Sequence, residues 1–363
     1  MPGPTRTNQT SVGSTQAEDS LAKLGRRIVR MHEMWPGNDL INLGKELQAM
    51  SDDALLGFRE RSSSNPQKVR MIELVEKLTE WEPTLFERLN RPSHHAAAAA
   101  REAKSRLNIG FSNGRSEDAR KARELMGKWG HFEPPLGDKS ERGLKHRQCA
   151  ELLASPTFDW TNEEAVNNFM GFGIPAPNAS IWPALLWATN QFDRQNIHKG
   201  LLENEYLFCA ANAILFSPSS SLPPTVLQAS SARGRNRRGP IGIAKSNQLT
   251  EVTPGLIAYV ACITRHALTS DEIFSERCSG FSYVEFYKQI TSFLQDPRFA
   301  HWSHGLMARW NEKLFSGMEF GYTHSMSTPV VGGTLDMLTA QLEAETVTQE
   351  QIGLGGNGSE LTE

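Results

Sequence analysis

Cysteine is scarce: four residues in 363, at Cys149, Cys209, Cys262 and Cys278. No Cys-x-x-Cys pair occurs, which excludes the common zinc-finger and dithiol redox spacings. Each cysteine falls in sequence that reads as helix or helix edge, so free buried thiols are expected. Long apolar runs are also missing. The longest, Tyr206 to Phe216, is broken by Asn212 and falls well short of the ~18 residues a membrane helix needs. The first 16 residues hold no apolar segment, so no secretory signal is expected and the chain reads as intracellular, nuclear or cytoplasmic. The Asn-x-Ser/Thr triplets at Asn8, Asn178 and Asn357 then read as chance matches. Period-2 alternation is nearly absent, which argues against a sheet. Neither Gly-x-Gly-x-x-Gly nor Gly-x-x-x-x-Gly-Lys-Ser/Thr occurs, so the two familiar phosphate-cradling loops are excluded.

Positive charge is missing from one end. No Lys or Arg follows Lys313, whereas Glu319, Asp336, Glu343, Glu345, Glu350, Glu360 and Glu363 do. Residues 1–313 hold 38 basic against 34 acidic residues, so a mildly basic body precedes an acidic tail.

What is present is helical. Leu21, Leu24, Ile28, Met31 and Trp35 recur at spacings of 3 and 4, one face of a helix that Pro36-Gly37 stops. Leu40–Arg61 and Lys68–Asn90 read as two further helices, the second kinked or split at Pro83. His95–Leu107 contains a five-alanine run and Ser116–Trp129 is charged; both read as helices. Glu133-Pro134-Pro135-Leu136-Gly137 reads as an extended connector and the best internal boundary. Beyond it, Thr161-Asn-Glu-Glu164 and Ser282-Tyr-Val-Glu285 fit the capping box, and Thr253-Pro254 opens a nearly all-apolar helix expected at the centre of the core. Leu201–Phe216 and Arg298–Phe315 read as two more helices. The expected fold is all-α, an irregular multi-helix bundle with disordered N- and C-terminal tails. Its parts are a tail (1–16), an N-terminal helical region (17–132), a connector (133–144), a helical domain (145–316) and an acidic tail (317–363).

A series of short motifs carries a resemblance. In order they are Trp182-Pro183-Ala-Leu-Leu, Gly200-Leu-Leu, Ile214-Leu-Phe-Ser-Pro218-Ser-Ser, Val252-Thr253-Pro254 with Ile257-Ala-Tyr-Val, and Ala267-Leu-Thr-Ser270. Phe286-Tyr287 and Arg309-Trp310-Asn311-Glu-Lys-Leu-Phe315 complete the series. Over about residues 145–316 the chain resembles a large family of uncharacterised proteins of mushroom-forming basidiomycete fungi, defined by a domain of unknown function. That family is similar to others expanded alongside fungal mobile elements. The resemblance implies no activity, cofactor or catalytic residue. Relatives tend to carry an Arg…Asn/Gly-x-Ala-x-Ile-His-Gly-Met-like run in the loop 225–251; here it reads Arg233-Gly-Arg-Asn-Arg-Arg238-Gly-Pro-Ile-Gly-Ile-Ala-Lys245, without the His or the Met.

Candidate sites are few. Gly110-Phe-Ser-Asn-Gly114 matches the Gly-x-Ser-x-Gly nucleophile elbow, but that motif needs a strand before it, and a turn between two helices explains the same letters. His301 and His304 stand at i, i+3 on a helix without a placed third ligand, half a metal site. Glu203 and Glu205 diverge, and Asp159, Glu163 and Glu164 suit a helix N-terminus. Arg26, Arg27 and Arg30 lie off the apolar stripe of their helix and read as a solvated face. One feature rises above this background: Arg233, Arg235, Arg237 and Arg238 within six residues, followed by Lys245 and preceded by the Ser/Pro-rich run Ser217–Ser231. Arginines in a glycine-bearing loop can contact nucleic-acid phosphates without reading sequence, or serve nuclear import. The loop lacks interleaved aromatics, so base stacking is not implied by it. The reading is a non-enzymatic helical binding module, with nucleic acid or another protein as partner and no catalytic residue, metal or cofactor. An enzyme of unrecognised type and a protein–protein interaction scaffold are the alternatives.

Overall fold

The computed structural model describes residues 11–173, 178–189, 191–222, 242–246 and 249–316. It is all-α apart from a two-residue ribbon. The helices are α1 (Ser11–Met31), α2 (Leu40–Gln48), α3 (Asp52–Ser62), α4 (Pro66–Trp81), α5 (Leu85–Asn90) and α6 (Ala96–Trp129). Then follow α7 (Arg147–Leu153), α8 (Glu163–Met170), α9 (Glu205–Leu215), α10 (Pro254–Leu268), α11 (Tyr283–Gln295) and α12 (Ala300–Phe315). A single turn at Ile243–Ser246 precedes α10. Strands β1 (Arg277–Cys278) and β2 (Phe281–Ser282) pair antiparallel just before α11, so Cys278 lies in a ribbon rather than a helix. All four cysteines are free and buried.

The expected tails lie largely outside the described residues; α1 begins at Ser11. Leu40–Arg61 is two helices, because Ser51 takes an extended conformation and its hydroxyl accepts the Ala54 N–H, restarting the chain as α3. Lys68–Asn90 splits at Glu82-Pro83 as expected. Ser282 and Thr253 cap α11 and α10. At α8 the cap is Asn162, whose Oδ1 accepts the Ala165 N–H. The Thr161 hydroxyl instead donates to Asp159, so the cap moves by one residue and the expected capping box does not form, since Ala165 has no carboxylate to reach back.

Helix α10 is the axis of the core. Every residue from Gly255 to Leu268 is buried. Its N-terminal end meets the C-terminal end of α1. The Thr253 hydroxyl donates to the Met31 carbonyl, and a Cβ on Gly255 would stand 2.6 Å from that oxygen. The positive end of one helix dipole thus faces the negative end of another. Helix α6 runs beside both. Its 34 residues span about 50 Å at 1.5 Å each.

Gly110–Gly114 is neither an elbow nor a turn: it is the interior of α6, where α1 packs parallel against it. A Cβ on Gly110 would come within 2.3 Å of the Ala22 carbonyl oxygen, and one on Gly25 within 2.5 Å of that of Leu107. Glycines four apart let two helix backbones approach without side chains between them, the same logic that spaces small residues in membrane helices.

The arginines of α1 are not a solvated face. Arg30 is buried and holds Asp118 of α6 through two hydrogen bonds of 2.6 and 3.0 Å. The Tyr259 hydroxyl of α10 donates to the same carboxylate at 2.9 Å. Arg26 pairs with Glu117 at 3.0 Å, and the Arg27 guanidinium lies 3.9 Å from the centroid of the Trp81 ring. One carboxylate therefore ties α1, α6 and α10 together, and the helices on both sides of the Pro134-Pro135 connector share one core.

Candidate functional site

Arg233, Arg235, Arg237 and Arg238 lie outside the described residues. Lys245 falls in the single turn Ile243–Ser246. The described residues on either side of the four arginines are anchored, the first to the end of α6 and the second beside the end of α9. Ser221 accepts the Trp129 indole N–H at 3.0 Å, fixing the turn Pro218–Ser221. On the other side a Cβ on Gly242 would meet the Phe216 backbone at 2.9 Å, and Ala244 and Leu249 are buried.

A groove of about 580 Å³ lies between α7, the N-terminal end of α9 and the residues that follow Pro183. Five rings line it: Phe132, Trp160, Trp187, Phe192 and Tyr206. Their placement follows from local structure. The turn Ala184–Leu186 buries Leu185 and Leu186 and brings Trp187 round, where its indole donates to the Ile197 carbonyl at 2.7 Å and Phe192 meets it edge-on at 5.2 Å. Asn204 caps α9 by accepting the Tyr206 N–H and donates to the Trp187 carbonyl at 2.6 Å, so one buried amide ties together the backbones that carry both rings. Tyr206 packs on Phe132 at 5.9 Å.

The amide and charged side chains of the groove are already committed, while the Tyr206 and Thr189 hydroxyls line it without a hydrogen bond among the described residues. Gln148 accepts the Glu133 N–H and donates to the His131 carbonyl. Glu151 is paired with Arg147 at 2.7 Å, and the Arg147 guanidinium covers Trp160 at 4.4 Å. What the groove offers a ligand is ring surface, with an ion pair at one side. Sequence reading missed it because its residues are spread from 132 to 206. The only legible signal was an excess of aromatics between Phe158 and Phe192, in stretches without helical period.

A second cleft, of about 370 Å³, lies where α1 ends against α4 and the start of α10. Its wall is charged: His32, Glu33, Arg70, Glu73, Lys77 and Glu80. Burial raises the pKa of Glu33, while the Trp35 N–H and Arg70 oppose the rise. Burial, then Lys77 and Arg27, push His32 down to about 4. Its hydroxyls are spoken for, since Thr253 donates to the Met31 carbonyl and Thr291 to the Tyr287 carbonyl. Acid and base stand here without a nucleophile beside them.

His301 and His304 are both exposed on α12. Among the described residues no three of His, Cys, Asp and Glu come close enough to hold a metal ion. Glu203 and Glu205 each reach α12, Glu203 holding Arg309 at 2.7 Å and Glu205 facing Lys313 at 3.8 Å. No helix among the described residues is long and apolar enough to cross a membrane.

Residues 109–315 match the model of a family of unknown function, DUF6698. The chain belongs to that family. The match covers more than half of the chain and begins inside α6, earlier than the start near 145 expected from the motifs. It therefore takes in Asp118 and the whole aromatic groove, while Arg30, the partner of Asp118, precedes it. No curated protein and no solved structure matches the chain.

Proposed function

We propose that the chain is a binding module for single-stranded nucleic acid. The observation that carries this reading is the aromatic groove: five rings around one opening, the Trp187 indole tied to the Ile197 carbonyl, with the charged and amide neighbours already paired. Such a surface suits stacking better than acid–base chemistry, and stacking tolerates any base because every base has a π-face. The acid-free stretch 225–250 would supply the phosphate contacts through Arg233, Arg235, Arg237, Arg238 and Lys245. Rings without charge would bind weakly, and charge without rings would not distinguish single from double strands.

The test is fluorescence anisotropy with single-stranded RNA, single-stranded DNA and duplex DNA at two salt concentrations. Single strands bind more tightly than duplex, and affinity falls steeply with salt. Replacing the four loop arginines with Ala weakens every nucleic acid and flattens the salt dependence. Phe192→Ala weakens the single strands by about tenfold, within the stacking range of ~1–3 kcal/mol per base, and leaves duplex binding unchanged. No binding at low salt, or equal loss for both strand types in the Phe192 variant, overturns the reading.

A further inference from the structure

The C-terminal end of α10 gathers cations without matching acids. Lys139, Arg142 and Arg265 are 5%, 8% and 5% exposed, and none forms an ion pair among the described residues. Lys139 donates to the carbonyls of His266 and Thr269. Arg142 donates to those of Arg123 and Ala267 at 3.1 and 2.9 Å. Arg265 donates to the Tyr283 hydroxyl at 3.0 Å and lies 3.3 Å from the centroid of the Phe281 ring. The carbonyls at a helix C-terminus amount to about half a negative charge, which leaves the Arg142 and Arg265 charges undercompensated; burial and then Arg142 push Lys139 down to about 7, so it is only partly charged near neutral pH. The acids acting on Lys139 are Asp271 and Glu272. Asp271 accepts the Ser279 hydroxyl, and Glu272 is paired with Arg123 at 3.2 Å.

Beside this cluster, between α6 and the segment after α10, is a cavity of about 250 Å³. Ser116, Arg120, Arg123, His266, Glu272 and Phe274 line it. His266 is 2% exposed and its Nδ1 is enclosed without a hydrogen-bond partner. A buried ring nitrogen left unpaired beside a cavity calls for a partner from within that cavity. Burial, with Lys139, Arg265 and Arg123 nearby, holds the imidazole neutral. A neutral imidazole still carries one N–H to donate.

We propose that this cavity binds a phosphate-class oxyanion, with the guanidinium groups of Arg123 and Arg120 as its principal contacts. The buried cations behind His266 supply the field that favours negative charge, and planar guanidinium groups match the geometry of phosphate oxygens. Both arginines already hold carboxylates, Arg120 pairing with Glu124 at 2.7 Å and Arg123 with Glu272 at 3.2 Å, so an incoming anion must compete with two acids. The site is separate from the aromatic groove and does not rest on that reading.

Isothermal titration of the full chain with inorganic phosphate, pyrophosphate and adenosine monophosphate tests this. Binding is saturable with one site per chain. Arg123→Gln weakens it at least tenfold while keeping the backbone carbonyl that Arg142 uses. Glu272→Gln tightens it severalfold, a gain that a damaged fold would not produce. Replacing Arg233, Arg235, Arg237 and Arg238 with Ala leaves it unchanged, which separates this site from the loop. Tighter binding of the mononucleotide than of free phosphate assigns the site to a phosphomonoester group, and equal binding assigns it to the free anion. No saturable heat up to millimolar ligand, or wild-type affinity in Arg123→Gln, overturns the proposal.

Discussion

Asp118 is wholly enclosed, and three side chains converge on it: Arg30 and Tyr259 at hydrogen-bond distance, and Lys121 at 3.4 Å. Removing one partner of a buried ion pair leaves the other as a bare charge in a medium that solvates it poorly. Such losses run to about 3–5 kcal/mol. Asp118→Asn therefore lowers unfolding stability by about that amount, and Tyr259→Phe, which removes a neutral donor, by about 1–2 kcal/mol. Urea denaturation followed by circular dichroism checks both; equal losses would mean that the charge on Asp118 contributes little. In the sequence Arg30 stood beside Arg26 and Arg27 and looked solvated. Nothing in a single helix periodicity says that a carboxylate 88 residues away will meet it.

At the scale of the element, α6 carries two kinds of glycine. Gly110 faces backbone: its added Cβ would lie 2.3 Å from the Ala22 carbonyl oxygen and 2.9 Å from the Gly25 Cα. Gly127 faces only the Leu136 Cβ, at 3.6 Å. Alanine gains about 1 kcal/mol over glycine in a helix interior. Gly127→Ala should collect most of that gain. Gly110→Ala should lose stability by about 2 kcal/mol or more, because two helix backbones must separate to admit the methyl group. Thermal denaturation of the two variants puts them on opposite sides of wild type. A gain at Gly110 would mean that the α1–α6 crossing is looser than described. The same glycines read as a turn because glycine in sequence is ambiguous: its lack of a Cβ serves tight turns and close helix contacts alike.

For the whole molecule, the half-buried His32 and the buried His266 weaken the fold on the acid side. His32 is depressed to about 4 and His266 to about 3, in both cases first by burial and then by neighbouring cations. A histidine that ordinarily titrates near 6.5 takes up a proton in the unfolded chain before it does in the folded one. The stability it contributes is complete above pH 6.5 and is lost as pH falls toward 4 for His32 and toward 3 for His266. Linkage makes each decade of proton affinity worth about 1.4 kcal/mol, so the fall amounts to several kcal/mol. Glu33, raised by burial, works in the opposite direction. Urea unfolding measured from pH 7 to pH 4 follows the loss. The double variant His32→Gln, His266→Gln flattens that window, and an unchanged slope would place the acid sensitivity elsewhere.

The sequence by itself determined the fold class, the buried axis and several helix ends. These rest on local physics: a 3.6-residue apolar period, Thr253 and Ser282 as caps, Pro254 at a first helical position, and Pro83 where one helix stops. It also placed the family motifs in order, because short motifs survive in one dimension. Tertiary structure decided what depends on contact. It turned Gly110–Gly114 from a turn into a helix crossing, moved Arg30 from water to the core, and joined α6 into one helix by packing it on α1. It also brought Phe132, Trp160, Trp187, Phe192 and Tyr206 to one groove, and Arg123 and His266 to another cavity. Periodicity records which face of an element is apolar; it carries no record of which distant element will cover that face, and both candidate sites are made of such distant pairs.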